Sequence, residues 1–184
     1  MSTPGSGAGA SSPHGHEPGQ PAVNLADCPV TLLNGERTTF GAIAGDRAVL
    51  VVNVASRCGL APQYEQLEAL QRTYGPRGFT VIGFPSNQFL QELGSEEKIG
   101  QYCSATWGVT FPMSARIRVG GRNADPIYRE LTRFPKRENG RAGRITWNFE
   151  KFVISPDGHV TRFSPTTRPD APEVIAAIEA ALPE

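Results

Sequence analysis

The run "AVLVVNVASRCGLAPQYEQL", residues 48–67, decides the fold. Its first nine residues are apolar but for Asn53 and Ser56, and rich in valine. Such a run is what a strand covered on both faces requires. Pro62 suits the first turn of a helix, and Tyr64, Leu67, Leu70 and Tyr74 then recur at helical spacing. Gly75, Pro76 and Gly78 end that pattern, and "FTVIGF", residues 79–84, reads as a second buried strand. Strand, helix and strand at this spacing make a right-handed βαβ unit.

Outward from that unit the signals remain specific. Upstream, Asn34-Gly35 sits between two short β-type runs and predicts a hairpin. Downstream, Ser95 followed by Glu96 and Glu97 reads as an N-cap with an acidic first turn, opening a helix to about residue 104. "ARIRVGG", residues 115–121, predicts a short strand, and "DPIYRELTRF" a short helix. "EKFVISPDGHVTRF" predicts a hairpin turning at Asp157-Gly158, and "APEVIAAIEAAL" a closing amphipathic helix. The inventory is an α/β, three-layer α/β/α sandwich with a mixed central sheet and an N-terminal β-hairpin.

The 184 residues suit one domain, placed at residues 22–184. Residues 1–21 are rich in Gly, Ser and Pro and predict a disordered tail. That tail has neither a basic start nor an apolar stretch, so it does not read as a secretory signal. With no such signal and no span of membrane length, a reducing cytoplasm is the expected compartment, and no integral membrane association is expected. Basic and acidic residues balance at 18 each, so nothing draws the chain toward nucleic acid.

Of the three cysteines, Cys58 stands where the first long strand gives way to its helix. A free cysteine is commonly a small buried hydrophobe. At a strand-to-helix junction, however, backbone N–H groups point toward the sulfur and the helix dipole favours negative charge. The thiolate is the reactive form. Arg57 either adds positive charge or faces water. A dithiol oxidoreductase needs Cys-x-x-Cys, and here Ala61 takes the second place. The thiol therefore finds a partner elsewhere or reacts alone.

Three motifs, "VNVASRCGLAPQYEQLEAL", "GFTVIGFPSNQF" and "WNFEKFVISPDGHV", resemble in order and spacing those of the glutathione peroxidases, in the cysteine-containing, non-selenium branch. "YCSATWGVTFP" and "FSPTTRPDAPEVI" extend the resemblance from about residue 29 to the C-terminus. It implies a thioredoxin-like fold and a peroxide site of Cys58, Gln88, Trp147 and Asn148. Cys58 matches the peroxidatic position. Gln88, Trp147 and Asn148 would stabilise the thiolate and the departing oxygen. Taken singly, Gln88 and Asn148 also suit turns or caps, and Trp147 a core.

The resemblance further implies that Cys103 is the resolving cysteine, forming a disulfide with Cys58 that thioredoxin reduces; a buried helical cysteine is the alternative. Hydrogen peroxide and organic, including lipid, hydroperoxides are the implied substrates, with no metal, flavin or haem. Glutathione as reductant, a sensor that relays oxidation to a partner protein, and a redox-inert interaction domain are competing readings. A peroxiredoxin would carry threonine where Ala55 stands. Ser86 replaces a cysteine common in relatives, Leu90 and Gln91 replace a glycine-rich continuation, and Cys28 lies outside the redox positions. The short connection from Phe134 to Trp147 resembles that of monomeric relatives.

Overall fold

The computed structural model describes residues 21–184. Apart from Pro21, the tail expected over residues 1–21 lies outside them. A hairpin, β1 (Pro29–Thr31) and β2 (Arg37–Thr39), leads into the short helix α1 (Phe40–Ala44). Next come β3 (Ala48–Val54), α2 (Gln63–Tyr74), a 3₁₀ turn (Gly75–Arg77) and β4 (Phe79–Pro85). Helices α3 (Glu96–Trp107) and α4 (Pro126–Leu131), the hairpin β5 (Lys151–Ile154) and β6 (Val160–Phe163), and α5 (Pro172–Ala181) complete the chain.

The main sheet has the order β4-β3-β5-β6. β3 pairs parallel with β4 and antiparallel with β5. Every residue of β3 and β4 is buried, as the unbroken apolar runs require. Side-chain alternation then builds two cores. Leu50, Val52 and Val54 face Leu67, Ile99, Phe149 and Ile178 from α2, α3, the segment before β5 and α5. Val49 and Val51 face Phe40, Ile127, Tyr128 and Phe152 from α1, α4 and β5. The three-layer sandwich with an N-terminal hairpin is thus present.

Helix ends follow their local chemistry. Ser95 Oγ accepts from Lys98 N at 3.3 Å with Glu96 and Glu97 in the first turn, and Gly108 closes α3 in the left-handed region. Helix α3 therefore runs three residues past the expected end near residue 104, up to Gly108, whose left-handed backbone closes it. The strand expected over residues 115–121 is absent. Only isolated bridges, Leu32 to Ser114 and Gly83 to Met113, form just before it. The alternation of "ARIRVGG" instead serves a loop in which Ile117 N bonds to the Pro85 carbonyl and Val119 packs on α4's core. No helix among the described residues is long and apolar enough to cross a membrane.

Candidate active site

The register brings three loops to one end of the sheet. Val54 pairs with Pro85, and Val52 with Lys151. The chain leaving β3, the chain leaving β4 and the chain entering β5 therefore meet beyond the same strand ends. Cys58 lies in the first, Gln88 in the second, Trp147 and Asn148 in the third.

Cys58 is buried, with 5% of its surface exposed, and its Sγ accepts from the Leu60 backbone N at 3.4 Å. The junction thus supplies one of the backbone donors anticipated there. Pro62 is the N-cap of α2 rather than its first helical residue, and a series of turns through Ala61 precedes the helix. The Arg57 side chain faces water. Its backbone N bonds to the Gln91 carbonyl at 2.8 Å and ties the cysteine loop to the loop after β4.

That second loop is pinned at its root. Ser86, fully buried, donates its backbone N to the Val54 carbonyl at 3.0 Å, and its Oγ accepts from Gln88 N at 3.2 Å. The Ser86 hydroxyl thus shapes the backbone at Gln88. The Gln88 side chain is exposed beside a polar cleft of about 580 Å³ shared with Asn87, Glu96, Arg116, Ile117 and Arg118. Leu90 turns the chain at φ 60° with its side chain almost wholly in water.

The third loop hangs from Asn53, the polar residue inside β3. Asn53 Nδ2 donates to the Trp147 carbonyl at 3.0 Å, its Oδ1 accepts from Glu150 N at 3.0 Å, and its own carbonyl accepts from Phe149 N at 2.6 Å. These bonds hold Phe149 at φ 65°, a left-handed conformation costly for a bulky residue, while its ring packs edge-on against Tyr64. The result exposes Trp147 by 38% and buries Asn148 completely. The Trp147 ring lies 5.4 Å from the Phe89 ring, and Asn148 Nδ2 donates to Gln91 Oε1 at 3.1 Å. Asn148 Oδ1 is buried without a partner.

Cys103 sits inside α3, one turn before its end, on the same buried face as Ile99. The thiol is 2% exposed and belongs to the same apolar core as Cys58. Burial pushes this thiol up to about 11. An apolar recess of about 260 Å³, lined by Leu33, Phe111 and Met113, borders it on the side of the first hairpin. Both cysteines are free thiols. Cys28 is partly buried beside the opposite core.

Sequence reasoning missed Asn53 and the part Gln91 plays. Asn53 left a signal, since one amide interrupts an otherwise apolar strand. Gln91 left none, because it lies in a loop where polar residues are ordinary. His159, the one histidine among the described residues, lies beyond the opposite end of the sheet, where β5 turns into β6.

A buried free thiol at the end of a central strand, in an α/β sandwich with a mixed sheet, defines a thiol-based oxidoreductase of thioredoxin-like fold. The fold matches a solved thiol:disulfide interchange protein of the thioredoxin family from Chlorobium tepidum TLS, with a TM-score of 0.56 and 20% identity over 89% of this chain and 98% of that one. The family model for glutathione peroxidase matches residues 25–132. The chain is 47% identical over 170 residues to the thioredoxin/glutathione peroxidase BtuE of Escherichia coli K12, covering 82% of this chain and 92% of that protein. It is 44% identical over 155 residues to the hydroperoxy fatty acid reductase Gpx2 of Synechocystis, covering 83% and 96%. The chain belongs to the glutathione peroxidase family, in its cysteine-containing form, and is a peroxidase acting on hydroperoxides.

Proposed function

We propose that Cys58 is the peroxidatic nucleophile and that Gln88, Trp147 and Asn148 serve its reaction. The Cys58 thiolate attacks one oxygen of the hydroperoxide. An S–O bond forms, the O–O bond breaks, and the departing alkoxide or hydroxide takes a proton to leave as alcohol or water. Charge grows on that departing oxygen, so pre-placed donors lower the barrier. The Trp147 indole N–H can only donate, while the two amides donate and accept. The observation that carries this reading is the convergence of the three loops at one sheet end, cross-tied by Gln91 to both the cysteine loop and Asn148.

The sulfenic acid left on Cys58 then meets Cys103. The S–O bond breaks, an S–S bond forms, and water leaves with the Cys103 proton. Thioredoxin returns both thiols by disulfide exchange. Burial of Cys103 means α3 opens locally for this step, and the apolar recess beside it is packing that the helix lacks. In this reading residues 22–184 form one monomeric cytoplasmic domain that needs no prosthetic group. Lipid hydroperoxides join hydrogen peroxide as substrates, a reading supported by the Synechocystis relative's name.

BtuE's name carries both reductants, so the test has two arms. Peroxide-dependent NADPH oxidation is followed with thioredoxin and its reductase, and separately with glutathione and its reductase, for the wild type and Cys103→Ser. Thioredoxin should support turnover and the substitution should stop it. Undiminished thioredoxin-linked activity in Cys103→Ser would remove Cys103 as the resolving residue.

A further inference from the structure

The mouth of the site has two features that the steps above do not use. The first is apolar. Among the described residues, Leu90 and Trp147 are the large hydrophobic side chains that stand exposed, Leu90 by 85%. A single exposed leucine is ordinary. Here both residues fall in loops that meet beyond Cys58. Leu90 joins neither core and holds φ 60°, a left-handed backbone that leucine rarely adopts. Packing within the fold gives no reason for it. Phe89 links the pair, next to Leu90 in the chain and with its ring 5.4 Å from the Trp147 ring.

The second feature is cationic. The polar cleft beside Gln88 is also lined by Arg116 and Arg118. Ile117 N bonds to the Pro85 carbonyl at 2.9 Å and fixes the segment of both arginines against the root of the Gln88 loop. Glu96 holds Arg116 with both oxygens, Oε1 accepting from Nε at 2.9 Å and Oε2 from Nη2 at 3.3 Å. Those two charges cancel. Arg118 is exposed, and no carboxylate among the described residues pairs with it. Asn87 Oδ1 accepts from Glu92 N at 3.1 Å, which leaves the amide hydrogens of Asn87 as donors. The cleft therefore carries one unmatched positive charge beside amide donors. A guanidinium fork of that kind matches a carboxylate.

The two features adjoin, because Gln88 lines the cleft and Phe89 follows it in the chain. Building on the place given to Gln88 in the peroxide site, we propose that Arg118 and Leu90 select amphipathic hydroperoxides that carry a carboxylate. Arg118 binds the carboxylate in the cleft, and Leu90 with Trp147 covers the hydrocarbon. Arg118 sets specificity and takes no part in breaking the O–O bond. Glutathione also carries carboxylates, but it is polar throughout and has no hydrocarbon chain to lay on Leu90. Removal of Leu90 from water favours the lipid.

The test is the oxidation of Cys58 in pre-reduced full-length protein with no reductant present. The remaining Cys58 thiol is alkylated at intervals and counted by mass spectrometry. The oxidants are linoleic acid hydroperoxide, its methyl ester and hydrogen peroxide, with both lipids dispersed in one neutral detergent. Acid and ester differ in charge, and comparison between variants cancels any difference in how they disperse. At low salt the acid-to-ester rate ratio should be about fivefold higher in wild type than in Arg118→Gln, the size of one water-exposed ion pair. Added salt should close that gap. Arg118→Lys should keep most of the wild-type ratio, and Arg118→Glu should take it below that of Arg118→Gln. Asparagine tolerates the left-handed backbone, so Leu90→Asn removes the apolar surface alone. It should slow both lipids relative to hydrogen peroxide by about fivefold.

An acid-to-ester ratio that is the same in wild type and Arg118→Glu would overturn the proposal. So would Leu90→Asn with an unchanged lipid-to-peroxide ratio. An effect of Arg118→Glu seen only in glutathione-linked turnover would overturn it too, and would assign the carboxylate to glutathione. Gln88→Ala that reacts with hydrogen peroxide at the wild-type rate would instead remove Gln88 from the peroxide site, and the proposal with it.

Discussion

Asn148 donates its side-chain amide to Gln91 Oε1 at 3.1 Å, and this bond joins the segment entering β5 to the loop leaving β4. Asn148 is fully buried, so the bond orients an amide that water cannot reach. Gln91 also accepts from the Arg57 backbone through its own carbonyl, and so touches both sides of the cysteine site.

Replacing Gln91 by leucine should therefore damage the site while leaving the fold. Asn148 Oδ1 already lacks a partner, and the substitution would strand Nδ2 as well. An unsatisfied buried amide costs about 1–3 kcal/mol. Urea unfolding should show that loss, and Cys58 oxidation by peroxide should slow about tenfold. An unchanged oxidation rate would mean that Asn148 needs no orientation.

Trp147→Phe isolates the indole donor. The ring contact with Phe89 survives, and the N–H is lost. With that donor facing the departing oxygen, oxidation of Cys58 should slow about a hundredfold, the low end of the cost of removing one oxyanion donor. Stability should barely move, because Trp147 is more than a third exposed. Stopped-flow oxidation and thermal unfolding separate the two effects.

Lys151 makes the fold sensitive to alkaline pH. Its Nζ, fully buried, donates to Gln63 Oε1 at 2.8 Å and to the Pro165 carbonyl at 2.9 Å. A neutral amine has two N–H donors for those two neutral acceptors. Burial lowers its pKa to about 7, with Glu138 and Glu150 pulling the other way. The unfolded chain then binds more protons between about pH 7 and the ordinary value of 10.5, so stability rises with pH across that window. The slope should reach about 1.4 kcal/mol per pH unit. Below about pH 7 both states are protonated and the gain is gone. Lys151→Met should abolish the slope in denaturant titrations at several pH values.

Gly158→Ala should destabilise the turn between β5 and β6. The glycine has φ +90°, and an added Cβ would strike the Val23 carbonyl oxygen. The entry of the chain depends on this place, because Val23 N bonds to the Gly158 carbonyl at 2.9 Å. A loss of about 1–3 kcal/mol is expected by thermal unfolding. The rate of Cys58 oxidation should stay the same, since the site lies beyond the other end of β5.

Several features were legible in the residues alone, because they depend on local pattern. Valine-rich runs named β3 and β4, and helical spacing named the buried face of α2 as Tyr64, Leu67, Leu70 and Tyr74. Ser95 and its acidic neighbours named the start of α3, and Asp157-Gly158 the turn of the last hairpin. Local pattern also misled. "ARIRVGG" alternates like a strand, yet β4, the edge strand beside it, ends at Pro85, so the segment meets it only through Ile117 N and the Pro85 carbonyl.

Motif order alone marked Cys58, Gln88, Trp147, Asn148 and Cys103. What the sequence could not decide is how these residues are held, because that depends on contacts between positions far apart in the chain. Asn53 reads as a polar interruption until its amide is seen holding residues 147–150. Cys103 reads as a cysteine near a helix end until its burial beside Tyr64 is seen. Local composition sets strands, turns and caps through backbone preference, but only the packed chain removes water from a side chain, and removal of water turns an amide or a thiol into a group with a particular task.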